Sequence, residues 1–268
     1  MNPADARLLK DGDLDTREEN LRLLFVRAAD GDASAKEVLC ALVRDYPDYH
    51  RSLYSRALNR AALFGDDTLK EPLLASLADP RYNCQAWAAM GCAALGFREA
   101  VPGLVAMLGH SQEMAREQAV IALGLLGDES VVADLTPLLR DSIGGMRERA
   151  AEALGLIGGD AALAALWHEL EHRQYYRIGY IASALATFAP DILPRLIAAA
   201  DSDDPDQRYW VAVALGSTGD DRAVPTLERL MAGDRGSTVF DGMVSVAAKK
   251  GLRTLRRIQA AIAARESQ

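Results

Sequence analysis

The sequence predicts an all-α fold, an α-solenoid (superhelix) of about seven to eight helical hairpins. The evidence is a repeat of about 31 residues, in which two columns of equivalent positions keep the same phase. One column is glycine-rich: Gly65, Gly96, Gly127, Gly158, Ala189 and Gly219. The other is leucine: Leu73, Leu104, Leu135, Leu166, Leu196 and Leu227. No segment alternates apolar and polar residues as a half-buried strand does, so only helices are predicted.

Each repeat has the pattern of helix, turn, helix. In the repeat that begins near Glu113, apolar residues at helical spacing form the buried stripe of the first helix: Ala119, Ala122, Leu123 and Leu126. Gly127 is expected to end this helix in the left-handed conformation. Asp128 is expected to cap the next helix by accepting a backbone N–H. That second helix is predicted to bury another apolar set: Val131, Val132, Leu135, Leu138 and Leu139.

The repeat phase sets the predicted boundaries. A tail over 1–14 precedes a single solenoid over 15–265. Its hairpins are predicted at 15–48, 49–79, 80–110, 111–142, 143–173, 174–203 and 204–234, and a capping helix closes it at 241–265. Thr16 and Glu19 have the spacing of a capping box, which predicts the start of the first helix there. The stretch 233–242 breaks the pattern and is predicted to be a loop.

Charge and composition narrow the functions. The 268 residues carry a formal net charge of −8. Nucleic acid is an unexpected partner for an acidic chain, whereas a basic protein is favoured. From Ser245 onward six Lys or Arg face one Glu, a net of +5, so the rest carries −13. Three cysteines without a CxxC pair predict free thiols in a cytoplasmic protein, and no apolar run predicts a membrane span.

Two segments carry a family resemblance. Residues 118–139, QAVIALGLLGDESVVADLTPLL, and residues 210–231, WVAVALGSTGDDRAVPTLERLM, resemble HEAT repeats of the short bacterial type named after phycobilisome lyases. The resemblance extends over about residues 50–234. It implies an α-solenoid in which the second helices line a concave surface. Because such repeats occur in scaffolds, adaptors, lyases and inhibitors, the resemblance specifies architecture more than function.

One motif has the spacing of a zinc site. His168-Glu169-Leu170-Glu171-His172 matches H-E-x-x-H, in which two histidines on one helix face hold zinc and Glu polarises water. Helical phase places both histidines opposite the buried stripe, facing solvent. No third ligand is evident, so we interpret the motif as a charged helix end and predict no metal or other cofactor. HEAT-repeat hydroxylases with two irons carry several His-Glu pairs, and this chain shows one.

Other patterns have two readings. Trp87, Tyr180 and Trp210 share one column of the first helices. They could stack on bases, as in HEAT-like DNA glycosylases, but packing between repeats is favoured by the acidic charge. The run of acids at 11, 13 and 15 resembles the start of a calcium loop and lacks its glycine and closing acid. Lys249, Arg253 and Arg256 share one helix face, which predicts a solvated surface or an anionic contact.

These observations favour a non-enzymatic scaffold, adaptor or inhibitor that holds a basic protein on its concave second-helix surface. No small-molecule substrate is suggested by any motif. The candidate binding residues are Glu71, Arg140, His168, Glu171, His172 and Arg229. The family resemblance leaves a bilin lyase subunit as an alternative. A HEAT-like DNA glycosylase and a metal-dependent enzyme that uses His168 and His172 are less favoured.

Overall fold

The computed structural model describes residues 7–45, 49–79, 84–175, 177–239 and 241–266. The chain divides into two compact units, unit 1 up to Gly127 and unit 2 from Asp128 onward. This boundary lies inside the hairpin predicted at 111–142. The single continuous solenoid over 15–265 therefore stays a prediction, and residues 1–6 of the predicted tail lie outside the described residues.

Unit 1 contains eight of the described α-helices. They are α1 (Leu14–Ala29), α2 (Ala33–Arg44), α3 (Arg51–Leu58), α4 (Ala61–Phe64), α5 (Lys70–Ala78), α6 (Gln85–Leu95), α7 (Val101–Met107) and α8 (Glu113–Leu126). Helices α1, α3 with α4, α6 and α8 are the first helices of their repeats. Each packs against the second helix of its repeat or the first helix of the next, and α6 packs against both α5 and α8.

Unit 2 contains the other eight. They are α9 (Val132–Leu135), α10 (Gly144–Ile157), α11 (Gly159–Glu171), α12 (Gly179–Ala186), α13 (Leu193–Ala199), α14 (Pro205–Ser217), α15 (Val224–Gly233) and α16 (Val244–Glu266). The first helices α10, α12 and α14 form one row, and α16 packs against α14 and α15 as a next first helix would. The second helices α9, α11, α13 and α15 form the other row. Helix α9 continues as a 3₁₀ turn over Thr136–Arg140, where Pro137 lacks the N–H of an α-helical bond.

The leucine column is the core of both units. All six leucines have 0% of their surface exposed, from Leu73 to Leu227. The stripe from Ala119 to Leu126 is buried as well, while Leu138 is half-buried. Among the described residues the only extended pairing is one antiparallel bridge, from Ser237 in the stretch predicted to be a loop to Met243 directly after it. The prediction of an all-α repeat fold is confirmed.

Two predictions of helix ends are wrong. Helix α1 is capped by Asp13, whose carboxylate accepts the Thr16 N–H at 2.8 Å. Thr16 therefore lies within the first turn instead of preceding it, and Glu19 pairs with Arg22, so no capping box forms. The part of the predicted tail from Arg7 onward packs, since Leu9 is buried and Asn20 donates to the Leu8 carbonyl.

The second wrong prediction concerns Gly127. Its φ is −72°, in extended backbone that any residue adopts, whereas Gly96, Gly158 and Gly219 of the same column have φ near +70°. The left-handed end therefore holds for only part of the column. The cap predicted beside it is confirmed, because the Asp128 carboxylate accepts the Ser130 N–H at 3.0 Å and starts a 3₁₀ turn over Glu129–Val131.

Candidate functional site

The second-helix row of unit 2 carries five of the six predicted binding residues. The sixth, Glu71, is exposed on α5 of unit 1. Arg140 donates through Nε to Glu169 at 2.6 Å, across 29 residues of sequence. The Glu169 carboxylate is 9% exposed, so it faces the packed side of α11. The glutamate that would polarise water in an H-E-x-x-H zinc site is thus held by an arginine of the preceding repeat.

The two histidines of that motif lie together on the surface. His168 and His172 are exposed, as predicted, and their rings stack with centroids 4.5 Å apart. His172 ends α11, and its N–H donates to the His168 carbonyl. In the described part of the chain, no three His, Cys, Asp or Glu side chains are grouped so that they could hold a metal ion.

Two further residues predicted to bind a partner, Glu171 and Arg229, are paired within this row. Glu171 accepts a hydrogen bond from the Trp167 indole N–H at 2.5 Å. The Arg195 guanidinium lies over the Trp167 ring, 3.8 Å from its centroid. Arg229 pairs with Asp201 at 2.8 Å. Most of the predicted binding residues are therefore already engaged within the row.

An arginine column that the sequence reading missed joins successive repeats. Arg116 donates to the carbonyls of His110 and Ser111, and Arg147 makes the same bonds to Asp141 and Ser142. In both repeats the two carbonyls lie six and five residues before the arginine. Each arginine therefore ties the link before its first helix to that helix, and we say that it closes the link. In the sequence this column is visible as arginines that are 31 residues apart.

In unit 2 the arginine column is interrupted and then resumes. Arg208 closes its link on Ser202 and also binds the Asp234 carboxylate through two nitrogens, at 2.7 and 3.1 Å. The Arg208 hydrogen bonds lower the pKa of Asp234. At the equivalent place of the repeat between, the residue is Ile178. That repeat, 174–203, is the irregular one.

The irregular repeat leaves a groove in the first-helix row. Helix α12 has 8 residues, between α10 with 14 and α14 with 13. At 1.5 Å per residue it is about 12 Å long, against about 20 Å for its neighbours. A cleft of about 690 Å³ lies over it. Its walls and floor come from all three helices: Glu148, Glu152, Leu156, Gly179, Tyr180, Ser183, Ala184, Thr187 and Val213.

The groove is apolar with acid at one side. Leu156 is 62% exposed, a large fraction for a leucine. Glu152 pairs with Arg149 at 2.8 Å, and Glu148 is exposed with no ion-pair partner among the described residues. The Thr187 hydroxyl bonds to the Gly155 carbonyl and so satisfies the end of α10. The groove therefore offers apolar surface and an unpaired carboxylate.

The aromatic column packs between repeats at Trp210. Trp210 is 7% exposed and stands edge-on to Tyr209 with centroids 4.9 Å apart. A Cβ at Gly179 would lie 3.3 Å from Trp210 Cζ3, so the glycine permits close approach of α12 to α14. Tyr180 is half-buried, and burial raises its pKa. Trp87, in unit 1, is half-buried too.

Two other sequence features, the acidic run and the cysteines, have structural roles. Asp13 of the acidic run caps α1, and hydrogen bonds from Thr16 lower its pKa. The cysteines are free thiols, as predicted, and all three are buried. Burial raises the pKa of Cys40 to about 11 and that of Cys92 to about 12, so both are neutral thiols near pH 7.

Exposed apolar side chains are distributed unequally between the two rows. Of the twelve large apolar residues exposed in the described structure, one, Met231, lies on a second helix and two lie in the 233–243 loop. Seven lie on first helices of the repeats: Leu23, Val26, Leu63, Met90, Met114, Leu125 and Leu156. The remaining two, Val246 and Ile262, lie on α16. Six of these seven lie in unit 1, and in unit 2 the first and second helices of the repeats have one each, Leu156 and Met231.

Repeated helix pairs stacked on a leucine column define the class of α-helical repeat proteins. Within that class, the HEAT repeats match residues 70–155, 115–186 and 170–241. The matches span more than half of the chain, so it belongs to the HEAT-repeat family. No curated protein sequence matches it significantly. None of the described helices is both long and apolar enough to cross a membrane.

Solved structures share the fold at low identity. The complex of CpcE and CpcF of phycocyanin lyase from a Nostoc species aligns over 81% of this chain and 86% of its own, at 23% identity and a TM-score of 0.49. The Escherichia coli protein YibA aligns over 96% and 93%, at 16% identity and a TM-score of 0.50. Human deoxyhypusine hydroxylase aligns over 95% of both chains, at 20% identity and a TM-score of 0.39.

Proposed function

We propose that this chain is a non-enzymatic adaptor or inhibitor that binds a protein partner, and that the groove of unit 2 holds a basic helical segment of that partner. The observation that carries the proposal is the cleft over α12, where Leu156 is 62% exposed beside Glu148, which has no ion-pair partner among the described residues. It departs from the expectation that the second helices bind, because Arg140, Glu171 and Arg229 of those helices are engaged within their own row.

Apolar burial supplies the attraction. Leu156 is 62% exposed in the free chain, and burying a leucine side chain stabilises by about 1.5–3 kcal/mol. The groove volume of about 690 Å³ accommodates several side chains of a partner. A short helix flanked by two longer ones forms a trough, and such troughs accept the apolar face of an amphipathic helix.

Charge selects the partner. Glu148 is unpaired among the described residues, and Glu152 lies four residues further along α10, on the same side of the groove. A lysine or arginine beside the apolar face of a partner helix would neutralise Glu148. The net charge of −8 would also accelerate the approach of a basic protein.

A binding role rather than catalysis is supported by the chemistry of the reactive groups. The thiols of Cys40 and Cys92 are buried with raised pKa values, and a neutral thiol is a poor nucleophile. Glu169 is engaged by Arg140 in place of a water at the histidines. The proposal assigns these groups to packing and to joining repeats.

The test is binding of a fluorescent model helix made of leucine and lysine, followed by anisotropy with the full chain. Leu156→Asp should weaken binding at least about tenfold, equivalent to about 1.4 kcal/mol. Met231→Asp is the matched control, an exposed apolar residue on a second helix, and should change affinity less than about twofold. A leucine–glutamate helix should bind more weakly than the lysine helix. Equal loss with both variants would refute the assignment to the groove.

A further inference from the structure

The last helix carries an unpaired basic surface. Helix α16 has six cations and no acid before its final residue: Lys249, Lys250, Arg253, Arg256, Arg257 and Arg265. None of them lies within ion-pair distance of a carboxylate in the described residues, although arginines elsewhere in unit 2, such as Arg140, Arg173 and Arg208, are paired. The helix is therefore a cationic element on an acidic protein.

The distal end of α16 is exposed beyond Gln259. Gln259 donates through Nε2 to the Gly219 carbonyl at 3.2 Å and to the Asp221 carboxylate at 2.6 Å. Ile258 packs on Gly219, where an added Cβ would lie 2.7 Å from its Cγ2. Residues 260–265 are all exposed. Ile262 continues the packed stripe one turn further and is 49% exposed.

We propose that this distal segment, residues 256–266 of one copy, docks into the unit 2 groove of a second copy of the chain. Ile262 would contact Leu156, and Arg265, three residues further along on the same side of α16, would pair with Glu148. The inference rests on the proposed function, because it names the occupant of the same groove. The segment has the required chemistry, a helix with an exposed apolar residue, a cation three residues further along on the same side, and no acid until Glu266.

Docking must occur between copies. The first half of α16 is fixed by its buried residues Val244, Ala248 and Leu255, and α14 lies between it and α12. A straight helix held in this way cannot turn back to its own groove. Because groove and helix belong to the same unit, two copies can each donate a helix and accept one, which closes a two-fold dimer. Such a contact is small, in the class of transient interfaces.

The test is sedimentation equilibrium of the full chain. The weight-average mass should rise with concentration from 28.9 kDa toward twice that value. Ile262→Asp and Glu148→Arg should each keep the chain monomeric. Two matched controls should associate like the wild type. Ala264→Asp lies on the opposite side of the same exposed end of α16, and Glu228→Arg changes an exposed residue of α15. Mixing Glu148→Arg with Arg265→Glu should restore association, because residue 265 of each copy then meets a residue 148 of opposite charge.

The outcomes separate the two proposals. A monomer at every concentration, with binding of the leucine–lysine helix still sensitive to Leu156→Asp, overturns the docking between copies and leaves the proposed function intact. A dimer that survives Ile262→Asp and Glu148→Arg also overturns it. If neither the model helix nor a second copy uses the groove, both proposals are wrong.

Discussion

The two rows of helices in unit 2 are built from the same repeat and present different surfaces. On the second-helix row most of the residues predicted to bind a partner are engaged within the row, as Arg140 binds Glu169 and Trp167 binds Glu171. On the first-helix row Leu156 is largely exposed and Glu148 is unpaired among the described residues. The difference teaches that regular spacing of polar side chains does not itself identify a binding surface. A binding surface is better identified by exposed apolar and charged side chains that have no partner.

The groove coincides with one irregular repeat. Where its neighbours have an arginine that closes the link, repeat 174–203 has Ile178, and its first helix α12 has 8 residues. The cleft lies over this shorter helix, between α10 and α14. The exposure of Leu156 follows its place on the helix, since Leu125, one repeat earlier, is also largely exposed.

The largest expected effect on stability is the difference between changing a leucine of the core and changing a leucine of the surface. Leu135→Ala should lower the free energy of unfolding by about 2–5 kcal/mol, because Leu135 is fully buried and its removal leaves a cavity. Leu156→Ala should cost less than about 0.5 kcal/mol, since this leucine is exposed. Urea denaturation monitored by helical circular dichroism measures both. Comparable losses would mean that Leu156 is part of the core.

A smaller effect is expected where repeats are joined. Asp234→Asn should cost about 1–3 kcal/mol near pH 7, because Asp234 is 8% exposed and binds Arg208 twice. Asp201→Asn is the control, since its pair with Arg229 is exposed on both sides. It should cost less than about 0.5 kcal/mol. A control variant as destabilised as Asp234→Asn would contradict this ranking.

The same pair predicts a pH dependence. Arg208 lowers the folded-state pKa of Asp234 below 3.8. A carboxyl with a lowered pKa stabilises the fold above its unfolded pKa of about 3.9, and that contribution is lost as pH falls through the folded pKa. The stability difference between wild type and Asp234→Asn should therefore be constant from pH 7 to about 5 and shrink below about 4. A difference that grew on acidification would have the wrong sign.

Among the stability changes, the smallest is expected on the second-helix surface. His168→Ala should change the free energy of unfolding by less than about 0.5 kcal/mol, because the ring is exposed and contacts mainly the His172 ring. Thermal unfolding of the wild type and of His168→Ala, measured side by side, tests this prediction. A loss above about 1 kcal/mol would show that the stacked histidines hold the end of α11.

Much of the fold could be predicted from the sequence, because a leucine buried in every repeat leaves a visible period. The 31-residue columns indicated the hairpins, and Leu73 to Leu227 are all buried. Helix ends were less predictable, since Asp13 and Thr16 are both acceptable caps and only local geometry chooses between them. Gly127 likewise has the residue type of a left-handed end without its conformation.

The groove could not be predicted with the same signals. The groove lies over a helix, α12, whose length the repeat period does not give, and its lining comes from three helices that are far apart in sequence. One sequence signal was present, Ile178 in place of the arginine in its column. The pairing of Arg140 with Glu169 is also hidden in a linear reading, because 29 residues separate them.

The most direct test of the claim that the groove is the binding site attaches a fluorescent dye to each row of helices in unit 2. The three native thiols are buried, so a solvatochromic maleimide dye at near-neutral pH should label only an introduced cysteine. Ser183→Cys puts the dye in the groove, and His168→Cys puts it on the second-helix row, and both positions are exposed. On adding the leucine–lysine helix, the emission should shift to the blue for Ser183→Cys and stay unchanged for His168→Cys. A shift confined to His168→Cys would contradict the account and return the binding site to the second helices.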